Sequence, residues 1–168
     1  MRWSSVTTRG LGAVFVAYIG ACPFFVALGA FEEVRAWAQR LAIAPLIEDP
    51  EAPRVLRTAL QAVVDRGQHY AGPVGVVRQT PFQQAVLAAT RAIPRGETRT
   101  YGEVAAAIGR PRSARAVGSA LAANPLPLLI PCHRVVGAGR RLGHYSDGGP
   151  GMKRRLLAWE GVDVASFS

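Results

Sequence analysis

Leu126-Pro127-Leu128-Leu129-Ile130-Pro131-Cys132-His133-Arg134-Val135-Val136 is an apolar run that delivers a cysteine set between Pro131 and the pair His133-Arg134. A thiol is a poor nucleophile until it ionises, and a neighbouring imidazole and a cationic guanidinium are groups that lower its pKa. The segment therefore reads as the carrier of a nucleophilic Cys132, with His133 and Arg134 as its activating neighbours. The alternative is a buried, inert cysteine, the common fate of a lone thiol. Against it, a core strand seldom continues directly into His-Arg. Adjacent residues of an extended strand point to opposite faces, so Cys132 and His133 cooperate only if the chain turns there or a water bridges them.

Working back toward the N-terminus, Thr80-Pro81-Phe82-Gln83 combines a capping residue, Pro at the first helical position and Gln completing a capping box. Phe82, Val86, Ala89 and Ile93 follow on one face, and Pro94-Arg95-Gly96 ends the helix. Thr100-Tyr101-Gly102-Glu103 is a second capping box, opening a short helix to Ile108 with Gly109 as its stop. Ser113 is positioned to cap a third helix, with Ala116, Val117, Ala120 and Leu121 inward, closing before Asn124-Pro125. Two short helices across a Gly-containing turn have a helix-turn-helix outline, which many helix pairs that touch no nucleic acid share.

Charge adds weight to that outline. The 168 residues carry 20 Lys+Arg and 11 Asp+Glu, a net +9. Residues 1–77 hold seven bases against six acids, whereas residues 78–168 hold thirteen against five. A basic excess confined to one half, with Arg110, Arg112 and Arg115 around the helix pair, points to a polyanion, most simply DNA. An arginine-rich, solubilised surface is the alternative. The length fits one moderate domain or two small ones, and 49% hydrophobic residues suffice for a core. Cys22 and Cys132 are too few for a disulfide framework. With His69, His133 and His144 as the histidines and neither CxxC nor HExxH spacing, no metal site is expected. Two unlinked thiols fit a reducing cytoplasm.

The first 77 residues offer no cluster of chemically useful side chains. Gly10–Ala30 is 21 residues without a charge, resembling a signal peptide or membrane span. Its four glycines and Pro23 favour two strands, Val14–Ile19 and Phe24–Leu28, around a Gly20–Pro23 turn, with burial on both faces. Helices are expected over 31–42 and 54–66 on either side of the proline-broken acidic loop Glu48–Pro53, and a final strand over His69–Val77.

Pro131-Cys132-His133-Arg134-Val135 resembles the active-site signature of the O6-alkylguanine-DNA alkyltransferases (methylated-DNA–protein-cysteine methyltransferases). The likeness extends through Thr80-Pro81-Phe82-Gln83, Gly96–Gly102, Ala114–Gly118, Asn124-Pro125, Tyr145-Ser146 and Leu156–Gly161. It covers residues 80–161 densely, while the first 77 match only in length and layout. The resemblance implies an α/β protein: a ribonuclease-H-like N-terminal α+β domain over 1–77, then a helical C-terminal domain over 78–168 with a DNA-binding helix-turn-helix. It implies direct reversal of O6-alkylguanine damage, and of O4-alkylthymine, by a monomer consumed once per lesion and needing no cofactor.

By the same resemblance Cys132 accepts the alkyl group, His133 takes the thiol proton through a water, and Glu160 orients the imidazole. Tyr101 protonates N3 of the leaving guanine, and Asn124 braces the turn. Val135, with Tyr145 and Ser146 of a lid loop, reads the base. The nucleotide leaves the duplex for the pocket and Arg115 fills its place, with Ser113, Ala114 and Gly118 of the same helix in the minor groove. Singly, each has a plain structural alternative: Tyr101 as packing, Glu160 as a solvated helix end, Asn124 as a cap before Pro125. The Tyr145–Lys153 stretch is one residue longer than the family spacing, Asp147 being the apparent insertion. Ser119 stands where Gly is common, and Trp159 where His or Arg is. Two rivals remain: a lesion-flagging relative, which lacks the acceptor cysteine, and a helix-turn-helix regulator with an incidental thiol.

Overall fold

The uncharged stretch near the N-terminus folds as a β-hairpin. In the computed structural model, which describes all residues but Gly10, Gly29, Ala30, Ala44, Val76 and Val77, β2 (Gly12–Ile19) pairs antiparallel with β3 (Cys22–Leu28). Ahead of it β1 (Arg2–Thr8) pairs antiparallel with β2, and β4 (Ile47–Glu48) adds in parallel to β1, giving the order β3-β2-β1-β4. Period-2 alternation places Val6, Val14, Val16 and Val26 on one face, all essentially inaccessible. Trp3, Phe15, Ala17 and Ala27 take the other, where α1 (Phe31–Arg40) brings Val34, Trp37 and Ala38 against them. Trp3 stacks on Phe31 with centroids 3.9 Å apart. On β1 packs α2 (Arg54–Arg66), burying Leu56, Leu60 and Val64. Among the described residues no helix is long and apolar enough to cross a membrane.

Three details of this unit, Met1–Val77, depart from expectation. β1 escapes a hydrophobicity reading because two of its inward residues are Ser4 and Thr8, both buried. The helix expected to reach residue 42 ends at Arg40, and Ala42 has left the helical region, with φ +53°. His69–Gly75 forms no strand: Pro73 has no N–H to donate, and Gly75 N–H to the Pro23 carbonyl, 2.7 Å, is its link to β3. Val76 and Val77, the end of that expected strand, lie outside the described residues.

The second unit, Arg78–Ser168, is helical around one short parallel pair. α3 (Pro81–Arg91) and α4 (Tyr101–Ala107) both open on complete capping boxes, Thr80 with Gln83 and Thr100 with Glu103. α4 closes in a Schellman arrangement: Arg110 N–H reaches Ala105 O and Gly109 N–H reaches Ala106 O, with Gly109 at φ +71°. α5 (Ala114–Ala122) starts at Ser113, whose side chain makes no capping bond, contrary to expectation. Val117, Ala120 and Leu121 form its buried stripe, while Ala116, at the edge of that stripe, is exposed. Leu126–Ile130 is a buried turn, with Leu128 at φ +70°, that leads into a single 3-10 turn, Cys132–Arg134. β6 (Val135–Val136) then pairs in parallel with β5 (Arg99–Thr100), and α6 (Gly149–Trp159) closes the unit. The β5–β6 pairing sets the N-terminus of α4, and hence Tyr101, beside the chain that carries Cys132.

Thr100 accepts from Glu103 N–H at 3.1 Å while its own N–H donates to the Glu103 carboxylate at 2.6 Å. Thr100→Val removes the cap and is expected to destabilise the unit by about 1 kcal/mol, lowering the thermal midpoint by several degrees in calorimetry.

Candidate active site

The 3-10 turn answers the geometric problem of adjacent reactive residues: Cys132 and His133 need not share a strand face because the chain coils between them. The Cys132 thiol receives a hydrogen bond from Asn124 Nδ2 at 3.1 Å. The same amide nitrogen donates to Ile130 O at 2.9 Å, and Asn124 Oδ1 accepts from Leu126 N–H at 3.1 Å, so Asn124 fixes the whole preceding turn. Burial pushes the Cys132 thiol up to about 11; the Asn124 bond opposes this, the Asp147 charge adds to it and Lys153 opposes it. The resting group is a thiol.

His133 Nε2 lies 3.0 Å from Glu160 Oε1. A carboxylate only accepts, so Nε2 carries the proton and Nδ1 is left as an acceptor, buried and without a hydrogen-bond partner among the described residues. Burial lowers the imidazole pKa despite the Glu160 bond, keeping the ring neutral. Arg134 does not face the thiol, as its position next to Cys132 suggests it should. It doubles back onto Glu160, Nε to both carboxylate oxygens at 3.1 and 2.9 Å and Nη2 to Oε1 at 2.7 Å, with Nη1 on Ile93 O at 2.6 Å. Burial works to raise the Glu160 carboxyl, but the hydrogen bonds from His133 and Arg134 and the full charge of Arg134 hold it down at about 2. The cation expected to activate the thiol directly instead neutralises the carboxylate that pairs with His133.

Cys132 opens onto a cavity of about 670 Å³, lined also by Tyr101, Ala114, Arg115, Gly118, Tyr145 and Ser146. Burial, with the Cys132 thiolate second, raises the Tyr101 and Tyr145 phenols, so both are O–H donors. Of the residues expected at the base, Val135 stands apart: it is buried, does not line the cavity, and its carbonyl is taken by Lys153 Nζ at 2.6 Å. Ser113 likewise does not line the cavity.

The family model for the 6-O-methylguanine DNA methyltransferase DNA-binding domain matches residues 81–162. The methylated-DNA–protein-cysteine methyltransferase of Mycolicibacterium paratuberculosis is 42% identical over 116 residues, 66% of this chain and 68% of that protein. The chain belongs to the methylated-DNA–protein-cysteine methyltransferase family. Its mouse relative is 48% identical over 88 residues, 52% of this chain and 42% of that protein; the chain spans about half the length of the curated relatives it matches first. The crystal structure of Mycobacterium tuberculosis OGT in complex with DNA superposes with a TM-score of 0.78 at 30% identity, covering 99% of this chain and 95% of that one.

Within this family frame, the sequence assigns no role to Lys153, which the structure buries beside the site. Lys153 has 1% of its surface exposed, lies with Nζ 5.7 Å from the Tyr101 ring centroid, and is lowered by burial to about 8, the Cys132 charge opposing. A signal for it exists: it is the single lysine among twenty basic residues. His144 and Ser119 also line the cavity.

With its pKa at about 11, Cys132 offers about one thiolate in a thousand at pH 8. In a Cys22→Ser background, carboxamidomethylation followed by intact mass should be slow at pH 7–8 and rise about tenfold per pH unit up to pH 10. A rate that levels off below pH 9 contradicts the burial argument.

Proposed function

We propose that the chain repairs O6-alkylguanine in DNA, and O4-alkylthymine, by moving the alkyl group irreversibly to Cys132. The observation that carries this reading is a buried thiol on a cavity with room for an extruded base, next to a histidine whose tautomer its carboxylate partner dictates. His133 Nδ1 takes the Cys132 proton through a bridging water. Sγ attacks the alkyl carbon, the S–C bond forms as the C–O6 bond breaks, and the electron pair leaves with the base. Asn124 Nδ2 stabilises the thiolate by its hydrogen bond, and Lys153 adds positive charge nearby. Tyr101, kept protonated by burial, delivers a proton to N3 so that guanine departs neutral. The product is a thioether, which no group in the site can cleave, so each molecule acts once.

Access to O6 demands that the nucleotide leave the duplex, at a few kcal/mol. We assign α4 and α5 to a helix-turn-helix that presents Ser113, Ala114, Arg115 and Gly118 to the minor groove of double-stranded DNA. Arg115, exposed at the cavity rim, fills the vacated stack. The strand order β3-β2-β1-β4, with its parallel β1–β4 pair, supports a ribonuclease-H-like assignment for the first unit. A monomer working in the cytoplasm, without cofactor or metal, completes the proposal. The lesion-flagging rival lacks an acceptor, and Cys132 speaks against it.

Incubation with O6-methylguanine DNA should add one methyl mass, mapped to Cys132 and never to Cys22; no adduct after prolonged incubation would sink the proposal. Glu160→Gln leaves His133 without its charged partner. It should slow transfer at saturating DNA by about 10²–10⁴-fold, the usual worth of general-base assistance, while DNA affinity changes little.

A further inference from the structure

Arg140 and Arg141 are neighbours in sequence that part company in space. They close a tight hairpin in which Gly137 N–H meets Arg141 O at 2.6 Å, with Gly139 at φ +68° and Arg140 at φ +57°. Arg140 turns onto the C-terminal segment, Nη1 bonding Ser166 Oγ at 2.5 Å and the guanidinium lying 5.8 Å from the Phe167 ring centroid. Arg141 goes the other way. Its Nε donates to Ala138 O at 3.1 Å, and its two Nη groups have no hydrogen-bond partner among the described residues. Ala138 lines the cavity that holds Cys132.

Arg141 itself lines a second, open cleft of about 530 Å³ with Gly143, Gly151 and Arg154. The two hollows share a wall. Gly143 borders the cleft, and a Cβ there would stand 3.2 Å from the hydroxyl of Tyr101, which lines the larger cavity. Arg154 gives one N–H of each Nη to the chain, to Val164 O at 2.7 Å and Phe167 O at 2.9 Å, and its charge remains. The cleft thus holds two guanidiniums and no acidic side chain among its lining residues. A nucleotide whose base fills the cavity leaves its phosphates at the rim, beside this cleft.

We infer that Arg141 is a phosphate clamp: its free guanidinium edge grips a backbone phosphate flanking the extruded nucleotide, while Arg140 serves the fold. The inference rests on the reading of the larger cavity as a base pocket. Guanidinium suits the task because its paired N–H groups match phosphate oxygens bidentately. Ala138 O restrains the side chain beforehand, so less freedom is lost on binding.

The experiment is fluorescence anisotropy on a labelled duplex carrying one O6-methylguanine, in a Cys132→Ser background that leaves the lesion unconsumed, from 50 to 300 mM KCl, comparing wild type at both arginines with Arg141→Gln, Arg141→Lys and Arg140→Gln. Gln keeps a donor for Ala138 O and removes the charge. Loss of one phosphate contact lowers the slope of log affinity against log salt by about one and low-salt affinity by roughly tenfold, the weight of one charge-assisted hydrogen bond. Arg141→Gln should show both, Arg141→Lys should keep the slope, and Arg140→Gln should match wild type. A slope unchanged in Arg141→Gln, or equal losses from both glutamine variants, overturns the clamp and leaves the DNA-repair reading standing. Wild type without salt-dependent binding overturns both.

Discussion

The Glu160 carboxylate, with 2% of its side chain exposed, is shared by His133 on one side and Arg134 on the other. Burying a lone carboxylate is prohibitive, and burying it with one partner is marginal. Here a full guanidinium charge balances it, so the imidazole can stay neutral and the cluster carries no net charge. Everything else in the site leans on this arrangement. Arg134 extends it through Nη1 to the end of α3 at Ile93. Glu160 caps the C-terminus of α6, with its N–H on Leu156 O and Leu157 O. Outside, Arg95 donates to Trp159 O at 2.7 Å and lies 4.2 Å from its ring centroid, holding the same helix end. Three elements are thereby registered against one another around His133.

Local signals in the second unit were readable because each is self-contained. A capping box needs only residues i and i+3, so α3 and α4 start where Thr80 and Thr100 say they do. The pairing of β5 with β6 joins residues over thirty apart and only two long, with no periodicity to betray it. The direction of Arg134 was illegible for a related reason. Adjacency to Cys132 suggests a local electrostatic role, but a 3-10 turn rotates successive side chains by about 120°, and the partner, Glu160, lies 26 residues on. Asn124 was placed at the turn by the family resemblance, since its position before Pro125 alone reads as a cap, and its bond to sulfur depends on a turn that apolar residues do not announce.

In the first unit the apolar hairpin was plain and its neighbours were not. β1 buries Ser4 and Thr8, whose polarity reads as surface. β4 spans two exposed residues at the start of an acidic loop, and nothing in Ile47-Glu48 marks a strand except the edge it completes. Aromatic stacking of Trp3 on Phe31 and of Phe25 on Trp37, at 4.8 Å, explains how a sheet with so few long strands seals its α1 face.

The high pKa of Cys132 bears on how long an unused molecule lasts. Peroxides, disulfides and soluble electrophiles consume thiolates, not thiols. A group held at about 11 exposes about one thiolate in ten thousand at pH 7. Under the proposed single-use transfer, one stray encounter with such a reagent would consume the whole capacity of a molecule. The same burial that makes Cys132 slow in isolation sets its shelf life, and ties its expenditure to an occupant that reaches the cavity wall.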